Sequence, residues 1–244
     1  LKKIKGLLLV PLLSVGLLFT PYNTHSAEAK VYWDGVELKP GQIGRLTVLK
    51  QTPLYKLVGN KKVFVRNLKP GQKFRVFTLK SGMLGVGGEY YVNRDSRVKY
   101  EVPSKTKLNQ VKMEQLFRGA KMGMSASQIK KLETAKFLGQ TNNNGINILI
   151  YSTSIFGYNT QLLYGFHSGK LVYFGYTFDP EQTYTRDQLT KIYNNLKQQL
   201  ISLFGNNYEQ SDSGKGYPSA LTFKKDKFTI TLSYDDDGLW IDIE

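Results

Sequence analysis

Apolar and polar positions change their period along the chain, and the change divides it. Residues 74–79 alternate, with Phe74, Val76 and Thr78 on one side and Arg75, Phe77 and Leu79 on the other. That two-residue period is a β-strand's. Short stretches at 43–50, 52–57, 63–66, 90–92 and 97–100 also read as strands. Turn chemistry separates them: Gly59-Asn60, Pro70-Gly71 and the glycine-rich run 82–88. Gly and Asn tolerate positive φ, and Pro-Gly marks a tight turn. Short strands at this spacing predict a small barrel or sandwich. A hairpin turning at Asp34-Gly35 is expected ahead of it, between 31–33 and 36–38.

From residue 113 the period lengthens. Met113, Leu116, Phe117 and Ala120 recur at helical spacing. Ser125 and Gln128 fit a capping box, opening a helix expected to reach about Leu138 and stop at Gly139. Strands follow at 146–153, 161–166 and 171–178, the last two joined at Ser168-Gly169. Thr185 and Gln188 repeat the capping box. Leu189, Ile192, Tyr193, Leu196, Leu200 and Leu203 then line one face of a long amphipathic helix that Gly205 ends. Strands at 220–223, 228–234 and 239–243 close the chain, with Asp236-Asp237-Gly238 at the last turn. The order ααβββαβββ predicts an α+β domain with helices on one face of an antiparallel sheet. The expected fold class is therefore α+β: a small all-β barrel followed by that domain.

The first 29 residues read differently. Lys2, Lys3 and Lys5 precede an apolar run of 14 residues at 6–19, and Ala27-Glu28-Ala29 gives an A-x-A pattern. That order is a secretory signal peptide's. The apolar run is short of the roughly 20 residues that span a bilayer, so no transmembrane segment is expected in the mature chain. The expected division is a signal peptide at 1–29, a basic β-domain at 30–102, a linker at 103–112 and a neutral α+β domain at 113–244. The expected location is secreted or cell-wall associated.

Charge sharpens this division. The formal net charge is +15. Residues 30–112 hold 18 Lys+Arg against 5 Asp+Glu, whereas residues 113–244 hold 13 of each. Such asymmetry implies an electrostatic binding module joined to a neutral one, since solubility alone would be served by spreading charge. The partner it implies is anionic. Arg66, Arg75, Arg94 and Arg97 are the candidates for bidentate contacts to phosphate or carboxylate. Lys61, Lys62 and Lys99 add charge, and Tyr55, Tyr90 and Tyr91 are candidates to stack on sugar faces. The competing roles are a solvated surface for each cation and cross-strand packing for each tyrosine.

Three segments within 43–102, "TVLKQTPLYK", "LKPGQKFRV" and "GGEYYV", resemble in their order the bacterial SH3-type (SH3b) repeat. The resemblance implies an SH3-like barrel and attachment to the bacterial envelope, often to wall polymers. Teichoic acids supply phosphates there and peptidoglycan supplies carboxylates. Tyr90 stands where the family pattern has a Trp before Tyr-Val. Within 113–178, "GMSASQIKKLE" followed by "LLYGFHSGKLVYFGYTF" looks like the SmpA/OmlA and β-lactamase-inhibitor-protein kind of module. That likeness implies protein–protein contact or envelope assembly. The later helix and three strands depart from its short form.

Catalytic chemistry finds little material. Cysteine is absent, which closes disulfides, thiolate chemistry and cysteine-linked lipid anchoring. His167 is the one histidine beyond residue 29, and no nucleophile elbow or His/Cys metal cluster accompanies it. The aspartates at 235–237 lack the EF-hand pattern, and "GVGGEYY" lacks the Gly-Lys-Ser/Thr of a P-loop. No metal or cofactor is expected, and nucleic acid fits the charge but not the export signal. The expected function is a secreted, non-enzymatic envelope protein. Its basic module would bind anionic wall polymer (teichoic acid or peptidoglycan), and its α+β domain a protein partner. Two alternatives stand beside it: a secreted enzyme inhibitor, and a wall hydrolase using carboxylates of the C-terminal domain.

Overall fold

The computed structural model describes residues 30–59, 61–178, 183–212, 216–235 and 238–244. The signal-peptide reading of 1–29 and the turn residues Asp236 and Asp237 lie outside the described residues. Within them the protein is mixed and mostly β, built from several antiparallel sheets and three helices.

The expected leading hairpin forms from β1 (Tyr32–Trp33) and β2 (Val36–Glu37), with Asp34 at φ 49° and Gly35 at φ 76° in its turn. Two sheets follow. One contains β3 (Gly44–Val48), β6 (Lys73–Val76) and β10 (Val98–Glu101), with β3 in the middle. The other contains β4 (Thr52–Val58), β5 (Lys61–Leu68), β7 (Thr78–Lys80), β8 (Met83–Gly85) and β9 (Tyr90–Asn93). Its order is β5-β4-β9-β8-β7. Leu46, Val48, Leu54, Leu68, Val76, Leu84, Val92 and Val98 from both sheets share one small core.

The closed barrel expected here is not formed. The alternating stretch 74–79 breaks at Phe77: β6 pairs with β3, while β7 pairs with β8 in the other sheet. The Phe77 N–H donates to the Gly85 carbonyl at 2.9 Å as the chain crosses over. Strands β5 and β7 remain open edges.

The stretch 103–112 is not a linker. Helix α1 (Lys105–Phe117) begins there, with the Ser104 hydroxyl accepting from the Lys107 N–H. Its first turns are Lys- and Asn-rich, and only Val111 and Leu116 are buried, so the sequence period showed late. Helix α2 (Ala126–Leu132) has the expected Ser125/Gln128 capping box but ends at Glu133 rather than near Leu138. Strand β11 (Lys136–Asn143) occupies the remainder, and Gly139 marks a register shift within it instead of a helix stop. Strands β12 (Ile146–Ile155), β13 (Tyr158–His167) and β14 (Lys170–Phe178) follow as a meander. Helix α3 (Arg186–Phe204) opens on the Thr185/Gln188 capping box and stops at Gly205, as its sequence implies. Then come β15 (Tyr208–Ser211), β16 (Ala220–Lys225), β17 (Phe228–Asp235) and β18 (Gly238–Ile243). All eight strands form one antiparallel sheet, ordered β11-β12-β13-β14-β18-β17-β16-β15.

Leu116, Ile129, Ile192, Leu196 and Leu200 of the helices join Leu162, Tyr164, Phe174, Tyr176, Leu232 and Ile241 of the strands in one large core. Each such side chain contributes about 1.5–3 kcal/mol by leaving water. One ion pair sits at its margin. Arg118 donates from Nε at 2.8 Å and from Nη2 at 2.5 Å to the Glu133 carboxylate. The Ala135 N–H and the Tyr164 hydroxyl donate to the same group at 2.7 and 2.9 Å. Burial opposes the charged form of Glu133, yet the Arg118 hydrogen bonds and charge outweigh it and hold the carboxyl below its ordinary range.

Candidate anion-binding face

Five carboxylates lie between residues 30 and 112, and each is already paired. Asp34 meets Arg45 at 2.8 Å, Glu37 meets Lys39 at 2.7 Å, and Glu89 meets Lys56 at 3.7 Å. Asp95 meets Arg97 at 2.5 Å, and Glu101 meets both Lys99 at 2.9 Å and Arg45 at 3.4 Å. The surplus cations of this region therefore have no internal carboxylate left to neutralise them.

Strand β5 carries the densest group of them. Lys61, Lys62 and Arg66 are exposed, as is every other residue of the strand except Leu68. Its exposure has a geometric cause. Leu54 opposes Arg66 while Tyr55 opposes Phe64, so Val65 is an extra residue on the edge strand. A bulge of this kind bends and twists an edge strand, and β5 runs out beyond the small core. Phe64 is 57% exposed, with Val63 and Val65 exposed beside it.

Register then assembles a row. Phe64 pairs with Tyr55, Tyr55 with Tyr91, and Tyr91 with Gly85. Directly paired residues share a face of the sheet, so Phe64, Tyr55 and Tyr91 form an aromatic stripe. The Lys62 Nζ donates to Asn93 Oδ1 at 3.0 Å and lies 5.7 Å from the Tyr55 ring centroid. Arg97, forked onto Asp95, lies near Tyr55. The Asp95 hydrogen bonds raise the Arg97 pKa, keeping it charged.

The structure thus brings together Lys62, Tyr55 and Tyr91, with Arg97 at the margin. Lys61 pairs with Val58 and Arg66 with the core residue Leu54, so both lie on the opposite side of the exposed β5 edge. The other candidates lie apart. Arg75 pairs with Arg45 in the second sheet, is half-buried, and donates from Nη2 to the Glu37 carbonyl at 3.3 Å. Arg94 sits 4.9 Å over the Tyr100 ring. Lys99 is held by Glu101, and Tyr90 packs against the small core. Phe64 and Asn93 belong to the face although their sequence context did not single them out. The signal was the apolar triplet Val63-Phe64-Val65 fenced by Lys62 and Arg66: three consecutive apolar residues cannot all turn inward on one strand.

An exposed, cationic and aromatic surface suits an extended polyanion. Exposed charges contribute little singly, and their combined field decays over about 8 Å at physiological salt. Elsewhere, His167 is exposed at the end of β13. Among the described residues no group of three or more His, Cys, Asp or Glu side chains is placed to hold a metal ion. Among the same residues, no helix is long and apolar enough to cross a membrane.

Comparisons with protein-family models, with curated proteins and with solved structures returned no match.

Proposed function

We propose that this is an exported, envelope-associated protein that binds rather than catalyses. In this reading residues 1–29 direct export. The two small sheets are an open form of an SH3-like domain that holds anionic wall polymer. Residues 113–244 are an α+β domain, with its helices on one face of the sheet, that holds a protein partner. The observation that carries the polymer-binding reading is the exposed β5 edge strand, which presents Lys62 on its aromatic side and Lys61 and Arg66 on the other, in a region whose carboxylates are all paired elsewhere.

The test is sedimentation of residues 30–244 with purified cell walls across a salt series, before and after teichoic acid is stripped. Bound protein is expected to fall steeply between about 0.05 and 0.5 M NaCl, where the screening length shortens several-fold. Stripping the polymer is expected to lower binding at every salt concentration. Replacing Lys61, Lys62 and Arg66 together by Gln should weaken binding roughly tenfold, since each exposed contact is worth a factor of about two to three. Binding indifferent to salt, or unchanged in the triple variant, would end this reading.

A further inference from the structure

The eight-stranded sheet has a second face, away from the helix core. Register places Leu163 beside Gly175, Gly175 beside Asp242, and Asp242 beside Thr231, in one row across β13, β14, β18 and β17. The neighbouring rows, such as Leu162-Tyr176-Ile241-Leu232, belong to the core. Alternation therefore turns the Asp242 row outward. Two glycines hollow this outward face. A Cβ at Gly165 would stand 2.1 Å from the Tyr173 ring, so that ring lies flat over the strand at Gly165. A Cβ at Gly175 would stand 2.9 Å from Asp242 Oδ1, so the carboxylate leans over Gly175. The result is a trench of about 220 Å³ lined by Leu163, Tyr173, Gly175, Thr177, Trp240 and Asp242.

Asp242 has no hydrogen-bond or ion-pair partner among the described residues. The groups facing it are Tyr173 on β14, Thr231 on β17, Trp240 on its own strand, and Glu244 just beyond that strand's end. None is a cation, and Glu244 repels it. Burial, and then Glu244, push its pKa up to about 6. A half-buried carboxylate with a like charge nearby and no donor destabilises the fold that holds it. Packing gives no reason for it: the paired position across β17 is a threonine and the one across β14 a glycine.

We propose that this trench receives an arginine side chain presented by a protein partner. A guanidinium supplies the parallel donors that a bare carboxylate lacks, and its flat face stacks on Tyr173 and Trp240. The trench is open along a broad sheet face, so a free cation there would stay in water. A side chain arriving on a protein surface brings the cover that makes the pair strong. The inference rests on the proposed protein-binding role of residues 113–244.

The probe is N-acetyl-arginine amide, titrated into the full mature chain and followed through Trp240 fluorescence. The chain holds two tryptophans, so Trp33→Phe is used as the background. Saturable binding is expected with a Kd on the order of millimolar, the range of a single unassisted contact. The neutral citrulline analogue is expected to give no saturation, and Asp242→Asn should weaken arginine binding at least about tenfold. Unaltered protein should also lose affinity as pH falls from about 7.5 to 5, as Asp242 protonates. Equal binding of citrulline, equal binding by Asp242→Asn, or no saturable arginine signal overturns the site. Failure of the parent reading looks different. A chain that binds the arginine probe but captures no envelope protein keeps the site and loses the partner. A captured partner held equally by Asp242→Asn keeps the partner and overturns the arginine contact.

Discussion

Replacing Glu133 with alanine leaves the Arg118 guanidinium buried without its counter-charge. The Glu133 side chain is 1% exposed and that of Arg118 14%. Four donors converge on this carboxylate: two from Arg118, the Ala135 N–H and the Tyr164 hydroxyl. Breaking a buried pair from one side costs about 3–5 kcal/mol, because the remaining charge is desolvated and unpaired. With an m-value of about 2 kcal/mol/M, the urea midpoint of Glu133→Ala should fall by about 2 M, read through tryptophan fluorescence. Removing both charges, as Arg118→Met with Glu133→Leu, should recover much of the loss, since an apolar pair of similar volume carries no stranded charge. The pH dependence has a definite sign. The folded-state pKa of Glu133 is depressed by Arg118 despite its burial. Its contribution is therefore complete above the unfolded value of about 4.3 and is lost as pH falls through the lower folded value. Glu133→Ala should flatten the stability profile below about pH 4.5, where that titration begins. A loss under about 1 kcal/mol would mean a solvated pair. That outcome, or a double variant no better than the single one, would refute the reasoning.

Two further outcomes follow from the same physics. Asp242 has its pKa raised to about 6 by burial and by Glu244. Its ionisation therefore opposes folding, and stability should fall as pH rises from about 4 to 6.5; Asp242→Asn should remove that fall and gain about 1–3 kcal/mol at pH 7, measured by urea melts at several pH values. Thr185→Ala removes the hydroxyl that accepts from the Gln188 N–H at 3.3 Å; it should cost about 1 kcal/mol in the same melts, with wall binding unchanged.

How much the sequence disclosed depended on whether the determining contact was local. Both capping boxes, Ser125/Gln128 and Thr185/Gln188, were legible because the bonded groups are three residues apart. Helix α3 was legible from its apolar stripe, whereas α1 was bounded too late because its first two turns bury almost nothing. Strands β11 and β15 escaped because both are sheet edges with mostly exposed residues, which leaves no alternation to read. The positive field of residues 30–112 was plain from counting, but its distribution was not. Arg97 and Lys99 are answered by Asp95 and Glu101, each two residues away. Such spacing puts both members on one side of an extended chain, so that pairing was readable in principle. The row joining Phe64, Tyr55 and Tyr91 was not, since it depends on a bulge and on pairing between distant strands.

The strand order of the large sheet gives the trench on its open face a reason for its place. Helix α2 is followed by a four-stranded meander, β11 to β14, and helix α3 by a second, β15 to β18. The sheet runs β11-β12-β13-β14 and then β18-β17-β16-β15, so the last strands of the two meanders meet in antiparallel pairing. That order is what a pseudo-twofold axis normal to the sheet produces, and such an axis keeps both helices on one side. Each half alone would expose the edge of its final strand, so neither closes its hydrogen-bond ladder without the other. The Gly175–Asp242 pair lies on this seam. A seam is where two otherwise equivalent strands can diverge without disturbing either meander, one giving up its side chain and the other projecting a charge into the space. The predicted gain in stability from Asp242→Asn then has a functional meaning. A residue that lowers stability, in a hollow made by a glycine across from it, is the pattern left when a site is maintained against the interest of the fold.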